Sequence, residues 1–418
     1  LLRDPAAWYH VVVAADSTQG TSSNRIKIYI NGTQQTDLAA STYPSQNITF
    51  DCNTNGQVLN IGRSQNGENH VYWDGYMSEI NFIDGQQLDP SYFAENNDNG
   101  IWVPKLYSGS YGNNGFFLEF QQTGTSANAS GIGADTSGNG NHFAVNNIGS
   151  NQPTIDTPTN NYCVLNQLYR ATTGSTARPT ITGGNISVAR VADASTQGTF
   201  GVASGKWYYE VQMNETAGDN FRSIPGWKQE PESTNLVFNR LGTSGDPIGA
   251  SAMHTTGHYA YLPWSTNFAG NGGYTGTKAA ASKGDVLNVA VDFDNNKIYF
   301  GLNGTYAAND GGTDGDPANG TNESLSGLLN NGKFYSPSVL LRNDSNAGSN
   351  SVRFNFGHDR SFGANLSLGT AYADENGFGE FRYAVPSGFL ALCSQNLPDP
   401  EIDPNDEENP SDYFKTTL

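Results

Sequence analysis

The sequence predicts an all-β protein, made of two antiparallel β-sandwich modules that a Gly/Asn-rich irregular chain joins. Three observations predict this fold class. Short apolar stretches alternate with period two, as in strands that are buried on one face. Asn-Gly pairs and other turn residues follow these stretches at short intervals, and 49 of the 418 residues are Gly. No stretch has the period of a long amphipathic helix.

Composition excludes several classes of protein. Asp and Glu number 40 against 21 Lys and Arg, so the formal net charge is −19 and nucleic acid would be repelled. No apolar run approaches the roughly 20 residues of a membrane span, so we predict no membrane insertion. Three cysteines lie far apart without a CxxC pair, which argues against a disulfide framework or a zinc site. They are Cys52, Cys163 and Cys393.

Residues 1–120 predict a first module of short strands. Residues 25–30 (RIKIYI) alternate on two faces, and the Asn31-Gly32 pair that follows them is a strong hairpin signal. The other predicted strands of this module are residues 8–15, 57–61 and 76–83.

A helical turn and an irregular connector follow these strands. LDPSYF (88–93) predicts a short helical turn, with Asp89 as N-cap and Pro90 at the first helical position. Residues 121–160 are rich in Gly, Asn, Ser and Thr, and we interpret them as irregular surface chain between two units.

Residues 161–396 predict the second module. Its strands are joined by tight turns at 294–296 and at Asn303-Gly304. The strongest of them are residues 206–212, 285–293, 297–302, 335–341 and 351–356. Residues 397–418 are acidic and Pro-rich, which predicts an extended linker to a further domain. Because the chain also opens on Leu1 and not on Met, we interpret it as a piece of a longer polypeptide.

The first module resembles the second half of a laminin-G-like, concanavalin-type jelly roll. The resemblance spans residues 8–93, and the segments that carry it are AWYHVVVAAD, IKIYINGTQ, LNIGR and WDGYMSEINFIDGQQLDPSYF. It implies that the early strands of such a fold are missing from this chain.

The second module resembles a SPRY domain. The segments that carry this resemblance are SGKWYYEV (204–211), KGDVLNVAVDFDNNKIYFGLNGTY (283–306) and VRFNFGHDRSF (352–362). It implies a curved antiparallel sandwich with binding loops at one rim. Residues 218–280 depart from the family pattern, which puts inference from those loops in doubt.

The two modules together, in a Gly-, Asn- and Thr-rich acidic chain, resemble large virion proteins of tailed bacteriophages, particularly marine ones. There such proteins are components of fibres or other appendages. The resemblance implies an extracellular location on the virion and homo-oligomeric assembly, for instance as a trimer. The implied partners are other virion proteins and a host-surface glycan.

No pattern in the sequence predicts catalysis, so we expect no enzyme. None of the six His belongs to HExxH or lies near a GxSxG elbow. His254 and His258 are four apart, but their surroundings indicate strand and turn, where that spacing does not make a metal pair. Glycosidases use paired carboxylates, and we interpret Asp292, Asp294 and Glu210 as turn or solvated charges.

Calcium is a candidate cofactor, although none is required. Laminin-G-like and lectin jelly rolls often carry Ca²⁺, which prefers oxygen ligands. NDGGTDGDPANG (309–320) places Asp310, Asp314 and Asp316 in one loop as candidate ligands, without the EF-hand spacing. A cluster of surface turns is the alternative interpretation.

Aromatic residues in loop-like, Gly-rich sequence are the candidate binding residues. Sugars stack on exposed aromatic faces, and protein partners use Trp and Tyr as anchors. Filling the end of the sandwich as a small core is the alternative. The candidates are Trp227, Tyr259, Tyr261, Trp264 and Tyr274, with Phe268 among them.

These observations favour a non-enzymatic structural and adhesion protein of a virion. Rigid sheets would present the loops of the SPRY-like module to a host glycan or a neighbouring virion protein. A secreted bacterial surface lectin or adhesin with the same modules is the alternative, and a polysaccharide depolymerase is the third class.

Overall fold

The fold is described from a computed structural model of the chain. The structure describes residues 2–50, 52, 58–66, 69–97, 100–150, 152–172, 178–189, 194–214, 223–230, 258–263, 268–270, 273–275, 278, 280–327, 333–341 and 351–398.

Regular structure in these residues is almost entirely β, which confirms the predicted fold class. The helical elements of the described part are three short 3-10 turns: Ser22–Asn24, Pro90–Tyr92 and Ser394–Asn396. None of the described helices is long and apolar enough to cross a membrane.

The first module consists of small antiparallel sheets. One sheet has the order β1-β2-β3, and three strand pairs join β4 to β5, β6 to β9 and β7 to β8. The strands are β1 (Val11–Ala15), β2 (Ile26–Ile30), β3 (Thr33–Gln34), β4 (Arg63–Asn66), β5 (Asn69–Tyr72), β6 (Ile80–Phe82), β7 (Ala94–Asn96), β8 (Trp102–Pro104) and β9 (Phe116–Leu118).

The second module contains two larger sheets. The seven-stranded sheet has the order β10-β13-β23-β15-β16-β17-β18, and the nine-stranded sheet β11-β12-β24-β14-β19-β20-β21, with β22 on β20 and β25 on β14. The strands are β10 (Leu165–Thr172), β11 (Thr180–Thr182), β12 (Ser187–Ala189), β13 (Ala194–Gly198), β14 (Lys206–Met213), β15 (Ser223–Glu230), β16 (His258–Tyr261), β17 (Phe268–Gly270), β18 (Gly273–Thr275), β19 (Val286–Asp292), β20 (Lys297–Leu302), β21 (Thr305–Ala307), β22 (Leu325–Ser326), β23 (Phe334–Leu341), β24 (Ser351–Asn355) and β25 (Leu390–Ala391).

Local sequence explains the turns that set the strand register. Asn31 and Gly32 both adopt positive φ, as a two-residue hairpin turn requires, and they bring Ile30 opposite Thr33. In the 3-10 turn Pro90–Tyr92, the Asp89 carboxylate accepts a hydrogen bond from the N–H of Ser91 at 2.8 Å, so the expected N-cap is present.

The two large sheets face each other across one core rich in aromatic side chains. Residues of both sheets contribute to it, for example Trp227 and Val339 from one sheet and Tyr209, Val289 and Phe354 from the other. Because side chains alternate along a strand, β14 buries Tyr209 in this core and directs Tyr208 to the opposite face. The second module is therefore a β-sandwich.

The outer face of the nine-stranded sheet is covered by the end of the described chain. We call residues 372–393 the C-terminal strap. Its Phe381, Phe389 and Ala391 pack with Tyr208 and Tyr299 of the sheet, and β25 runs parallel to β14. This layer gives the sandwich a second buried interface.

The connector is irregular but partly buried, which refines the expectation of a surface chain. Ile132 and Ala134 are buried, and the ring of Phe143 packs edge-on against Phe116 at 4.8 Å. The Asp135 carboxylate accepts hydrogen bonds from backbone N–H groups of the same region and of Phe117. These bonds fix the connector onto the first module.

Candidate interaction surface

Four of the six candidate binding aromatics lie inside the sandwich. Trp227, Tyr259 and Tyr261 are fully or almost fully buried. The Trp227 ring contacts Tyr209 and Phe293 edge-on, with centroids 5.6 and 5.4 Å away. The structure thus corrects the expectation that these rings are exposed, because close packing leaves no face open. Their role in binding stays an untested prediction.

The other aromatic candidates divide between the core and the undescribed chain. Phe268 is buried and stacks on Phe300 at 5.5 Å. Trp264 lies outside the described residues, and of Tyr274 the structure describes only the strand β18 that contains it. The ammonium nitrogen of the buried Lys278 lies over the Tyr261 ring, 3.5 Å from its centroid. Burial lowers the pKa of this lysine to about 7.

The candidate calcium ligands are engaged in local turns. Asp316 accepts hydrogen bonds from the backbone and side chain of Asn319, and Asp314 accepts one from the side chain of Asn322. Asp310 accepts one from the N–H of Gly312. Within the described residues, no three His, Cys, Asp or Glu side chains come together as a metal ion requires. The Asp310 and Asp314 carboxylates both lie beside Gly312, but the structure does not bring all three aspartates together in one group, and calcium binding stays a prediction.

The carboxylates considered for glycoside chemistry have structural partners. Asp292 pairs with Lys206 at 3.1 Å and accepts two bonds from Asn295, so it holds the hairpin turn that the sequence assigned to Asp294. Burial would raise the pKa of Asp292, but these partners outweigh burial and hold it below the usual value. Asp294 instead accepts a bond from the N–H of Gly205 at 2.9 Å. His254 lies outside the described residues.

Glu210 has an unusual environment for a carboxylate. It is fully buried on β14, under the C-terminal strap. Its oxygens accept hydrogen bonds from the Tyr208 hydroxyl, the Asn355 amide and the backbone N–H groups of Arg382 and Tyr383. Burial raises its pKa to about 7, although these four donors act in the opposite direction. The Glu210 carboxylate therefore holds the strap against the sheet through hydrogen bonds, and its burial makes it inaccessible to a substrate.

Exposed apolar side chains concentrate in the first module. Twelve of the seventeen exposed large apolar residues among those described lie between Leu2 and Leu106. Soluble proteins rarely expose extended apolar surface unless it contacts a partner. The first module therefore contains most of the exposed large apolar side chains of the described residues, whereas the sequence favoured loops of the second module as the interaction surface.

Two neighbouring aromatic residues form what we call the aromatic ledge, Tyr72 and Trp73. Their side chains are 63% and 60% exposed. The N–H of Trp73 donates to the carbonyl O of Gly62 at 2.9 Å, which fixes the backbone of the ledge. A Cβ at Gly75 would lie 3.3 Å from the indole nitrogen, so the indole rests against this glycine. A positioned aromatic ring with exposed surface is suited to stacking on a sugar.

Polar residues flank the aromatic ledge. Asp74 follows it directly, and Arg63 lies opposite Tyr72 across the β4-β5 pair. Both side chains, and that of Ser64, are exposed and can exchange hydrogen bonds with hydroxyl groups. No sequence pattern predicted this ledge, although the aromatic residues around the Asp74-Gly75 turn were a signal for it.

The two modules are in contact through a joint of aromatic side chains. Tyr76 of the first module lies edge-on against His358 of the second at 6.3 Å and stacks near Trp8 at 6.4 Å. A Cβ at Gly184 would lie 2.3 Å from the Tyr76 ring, so this glycine makes room for it. The side chain of Asn185 donates to the carbonyl O of Pro5 at 3.0 Å.

Two titratable groups are buried at this joint. Burial raises the pKa of Asp156 to about 7, although Tyr162 and Trp8 donate hydrogen bonds to it. Burial lowers the pKa of His358 to about 4, with the charge of Asp359 acting in the opposite direction. Neither ring nitrogen of His358 has a hydrogen-bond partner in the described part of the chain.

Comparison with known proteins supports the content of the first module. Residues 2–90 match a laminin-G family described as the concanavalin A-like lectin/glucanases superfamily. The match confirms the predicted laminin-G-like, concanavalin-type content. No curated protein matches the sequence.

Among solved structures, the chain is similar to the SPRY domain of human HERC1. The two are 16% identical, the similarity covers 42% of this chain and 91% of that one, and the TM-score is 0.29. The sandwich of the second module is shown by its own two sheets and shared core.

Proposed function

We propose that this chain is a non-enzymatic adhesion and structural protein of a tailed-phage virion, part of a fibre or surface appendage. The first module binds a glycan of the host surface through the aromatic ledge. The second module is the rigid body that carries it and contacts neighbouring virion proteins. The proposal extends the lectin-type family match and the sequence resemblance to phage appendage proteins.

The observation that carries the proposal is the exposure of Tyr72 and Trp73. Two adjacent aromatic side chains stay largely open in a module that matches the concanavalin A-like family, while most of the described aromatic residues of the second module are packed, Phe334 and Tyr372 being exposed. Sugar rings present apolar C–H faces and hydroxyl groups, and the ledge offers an indole face beside Asp74 and Arg63. The low charge content of the chain, 15%, supports recognition of a neutral ligand.

Glycan binding by the purified chain tests this site. We expect saturable binding to bacterial surface polysaccharides on an array, unchanged by EDTA because no described metal group supports the ledge. Trp73→Ala should weaken binding about tenfold or more, which corresponds to about 1.4 kcal/mol.

Tyr92→Ala is the matched control for this substitution. Tyr92 is another exposed aromatic residue of the first module, 48% exposed, and lies in a 3-10 turn that is not part of the β4-β5 pair. Its variant should bind as the wild type does. Equal binding by Trp73→Ala would exclude the ledge, and a folded wild type that binds no glycan would contradict the adhesive role.

The location is tested separately from the ligand. Antibodies against the purified chain should label appendages of virions from a phage that encodes it, in immunogold electron microscopy. Label restricted to the bacterial cell surface would instead support a secreted adhesin.

A further inference from the structure

The second module begins and ends at one place in the fold. Residues 159–163 lead into it, residues 391–396 lead out of it, and the two segments are paired, with Tyr162 opposite Cys393 in an antiparallel bridge. Both of these side chains are buried. We call the two paired segments the clamp. Tension that pulls residue 159 away from residue 396 therefore acts directly on the clamp.

The hydrogen bonds of the clamp are loaded one after another. Because the two segments are antiparallel, the chain enters and leaves at the same end, where residue 160 lies opposite residue 395. Pulling these ends apart loads the outermost bond first, and each inner bond carries the force only after its neighbour has broken. The side chains of Ser394 and Gln395 each add one bond to the entering segment. From the open end inward, the bonds from backbone N–H groups are those of Gln395 to the Oδ1 atom of Asn160 at 3.3 Å, of Ser394 to the carbonyl O of Asn161 at 2.9 Å, and of Cys163 to the carbonyl O of Leu392 at 2.8 Å.

The C-terminal strap, which ends within the clamp, is held in the same serial way. Next to the clamp, β25 pairs with β14 over two residues. Phe389 then packs in the cluster on the outer face of the sheet. Further back, the Glu210 carboxylate accepts hydrogen bonds from the N–H groups of Arg382 and Tyr383 at 2.9 and 2.8 Å. A pull on the chain beyond the clamp reaches these contacts in this order, from β25 to Glu210.

The strap packs largely apart from the main core. Of its buried apolar residues, Leu392 belongs to the core between the two sheets, and the others belong to the cluster on the outer face of the nine-stranded sheet. β14 is hydrogen-bonded to β19 on one side and to β24 on the other, independently of the strap. Removing the strap therefore leaves both sheets and nearly all of their shared core in place. The strap residues of the outer cluster are Phe381, Phe389, Ala391 and Cys393.

We propose that the strap is a force-release element, which tension on the chain after residue 396 peels from the sheet before the sandwich unfolds. Peeling breaks bonds singly, each contributing about 1 kcal/mol net, whereas the sandwich unfolds only when its two sheets separate. Local opening of this kind involves the parts of a fold with few buried apolar contacts. The released chain lengthens the molecule and uncovers Tyr208 and Tyr299. The proposal goes beyond the proposed function and does not rest on it, because it concerns contacts within the second module.

Optical tweezers on the whole chain test the peeling. One handle is attached to Thr159→Cys, an exposed position at the open end of the clamp, and the other to a C-terminal tag. Cys52→Ser removes the exposed native thiol, and the buried Cys163 and Cys393 stay unlabelled. We expect a short lengthening of at most about 90 Å, from about 25 residues at about 3.3–3.6 Å each. At higher force, the remaining roughly 210 residues of the module should add about 700–750 Å.

A second attachment point is the matched control. Thr370 is exposed and lies just before the strap, so handles at Thr159→Cys and Thr370→Cys load the sandwich and leave the strap out of the path of the force. The short event should be absent from these traces and the large event present. A single event of full length with the C-terminal handle, or a short event that persists with the Thr370 handle, would overturn the proposal.

Two substitutions separate the strap from the core. Phe389→Ala removes a ring of the outer cluster, so it should lower the force of the short event, or remove that event, and leave the large event unchanged. Val339→Ala removes methyl groups from the core between the sheets, so it should lower the force of the large event alone. Equal weakening of both events by each substitution would show that strap and sandwich unfold as one unit, contrary to the proposal.

Hydrogen exchange measures the order of opening without force. The amides of Tyr383 and Ser394 are bonded to Glu210 and Asn161, and they should exchange through opening of the strap and clamp. Their protection factors should be at least about tenfold lower than those of β14 and β19, which corresponds to about 1.4 kcal/mol. Equal protection of the strap and of these core strands would contradict a separate opening.

Discussion

At the scale of single residues, buried polar side chains such as Glu210 stabilise the fold through hydrogen bonds and do not form a ligand site. Glu210 joins Tyr208 and Asn355 of the sheet to two backbone N–H groups of the C-terminal strap. A buried carboxylate needs such partners because an unsatisfied one would be strongly destabilising. This residue is therefore the clearest single determinant of the second buried interface.

Replacing Glu210 with Gln should change how stability depends on pH. The folded pKa of about 7 is above the usual carboxyl value, so the stability that this group contributes is present below pH 4.5 and lost as the pH rises through 7. We expect the difference in unfolding free energy between wild type and Glu210→Gln to shrink from pH 5 to pH 8, by on the order of 2–3 kcal/mol. Urea unfolding at several pH values measures it.

Asp316→Asn is the control for this prediction. Asp316 is a solvent-exposed carboxylate whose hydrogen bonds to Asn319 hold its pKa below the usual value. It does not titrate between pH 5 and 8, so its variant should follow the wild-type curve. A difference for Glu210→Gln that grows with pH would contradict the assignment.

At the scale of elements, strands with strong alternation were predictable. Residues 297–302 form β20 as expected, and the predicted strand 206–212 is extended by one residue in β14. The predicted strand 57–61 fails: residues 58–62 are irregular, and the pairing strand begins at Arg63. A short apolar run in the sequence does not show which strand it would pair with. Because a strand begins where its hydrogen bonds to a neighbouring strand begin, the run alone cannot predict its bounds.

Features that depend on distant contacts were not predictable. The aromatic residues of β15 and β16 were candidates for an exposed rim because their sequence is rich in Gly and turns, yet tertiary packing buries Trp227 and Tyr259. Conversely, no sequence pattern singled out Trp73, and it is exposed. The sequence identifies an aromatic residue, but the position of the opposing sheet decides whether it is covered.

Gly226→Ala should disrupt the pairing of β15 with β16. Gly226 lies opposite Ala260, and a Cβ there would be 2.0 Å from the Tyr259 carbonyl O and 2.7 Å from the Ala260 Cα. Backbone atoms cannot yield as a flexible side chain does, so we expect a loss of more than about 3 kcal/mol in unfolding free energy. Gly20→Ala, with no atom within 4 Å, should stay close to wild type in the same denaturation experiment.

At the scale of the whole molecule, the joint connects the laminin-G-like first module to the sandwich of the second module. Trp8 and Tyr76 are the aromatic residues of the first module at this joint. The Tyr76 ring contacts His358 of the second module edge-on and packs close to Gly184. Contacts of this kind fix the direction in which an exposed ledge points relative to the sandwich. The arrangement of the modules is thus part of the proposed function.

Tyr76→Ala should loosen the joint without unfolding the sandwich. Removing the ring takes away its contacts with His358 and Trp8, while the core of the second module keeps its own residues. Small-angle X-ray scattering should show a larger radius of gyration, and limited proteolysis should cut faster within residues 121–160. Tyr92→Ala should change neither quantity, and an unchanged profile for Tyr76→Ala would show that other contacts hold the modules.

The two buried groups at the joint should oppose each other in the pH dependence of stability. Asp156 has a raised pKa, so the stability that it contributes is lost as the pH rises through about 7. His358 has a pKa lowered from 6.5 to about 4, so the stability that it contributes is lost as the pH falls through that range. Because the two ranges overlap, the two effects should largely cancel in the wild type. Between about pH 4 and 6.5, the melting temperature should rise with pH in Asp156→Asn and fall with pH in His358→Gln, and slopes of the same sign in the two variants would contradict this account.

The C-terminal strap has a consequence for how the protein is made. The hydrogen bond from the N–H of Tyr383 to the Glu210 carboxylate can form only after Tyr383, 173 residues later in the chain, has been synthesised. At the usual rate of synthesis of about 5–20 residues per second, that interval is roughly 9–35 s. During it, Tyr208 lacks the strap that covers it in the folded protein, and Tyr299 lacks the strap from the time at which it is synthesised. Uncovered aromatic surface on an incomplete chain favours aggregation. The outer face of the sandwich therefore depends on protection until the strap has been synthesised.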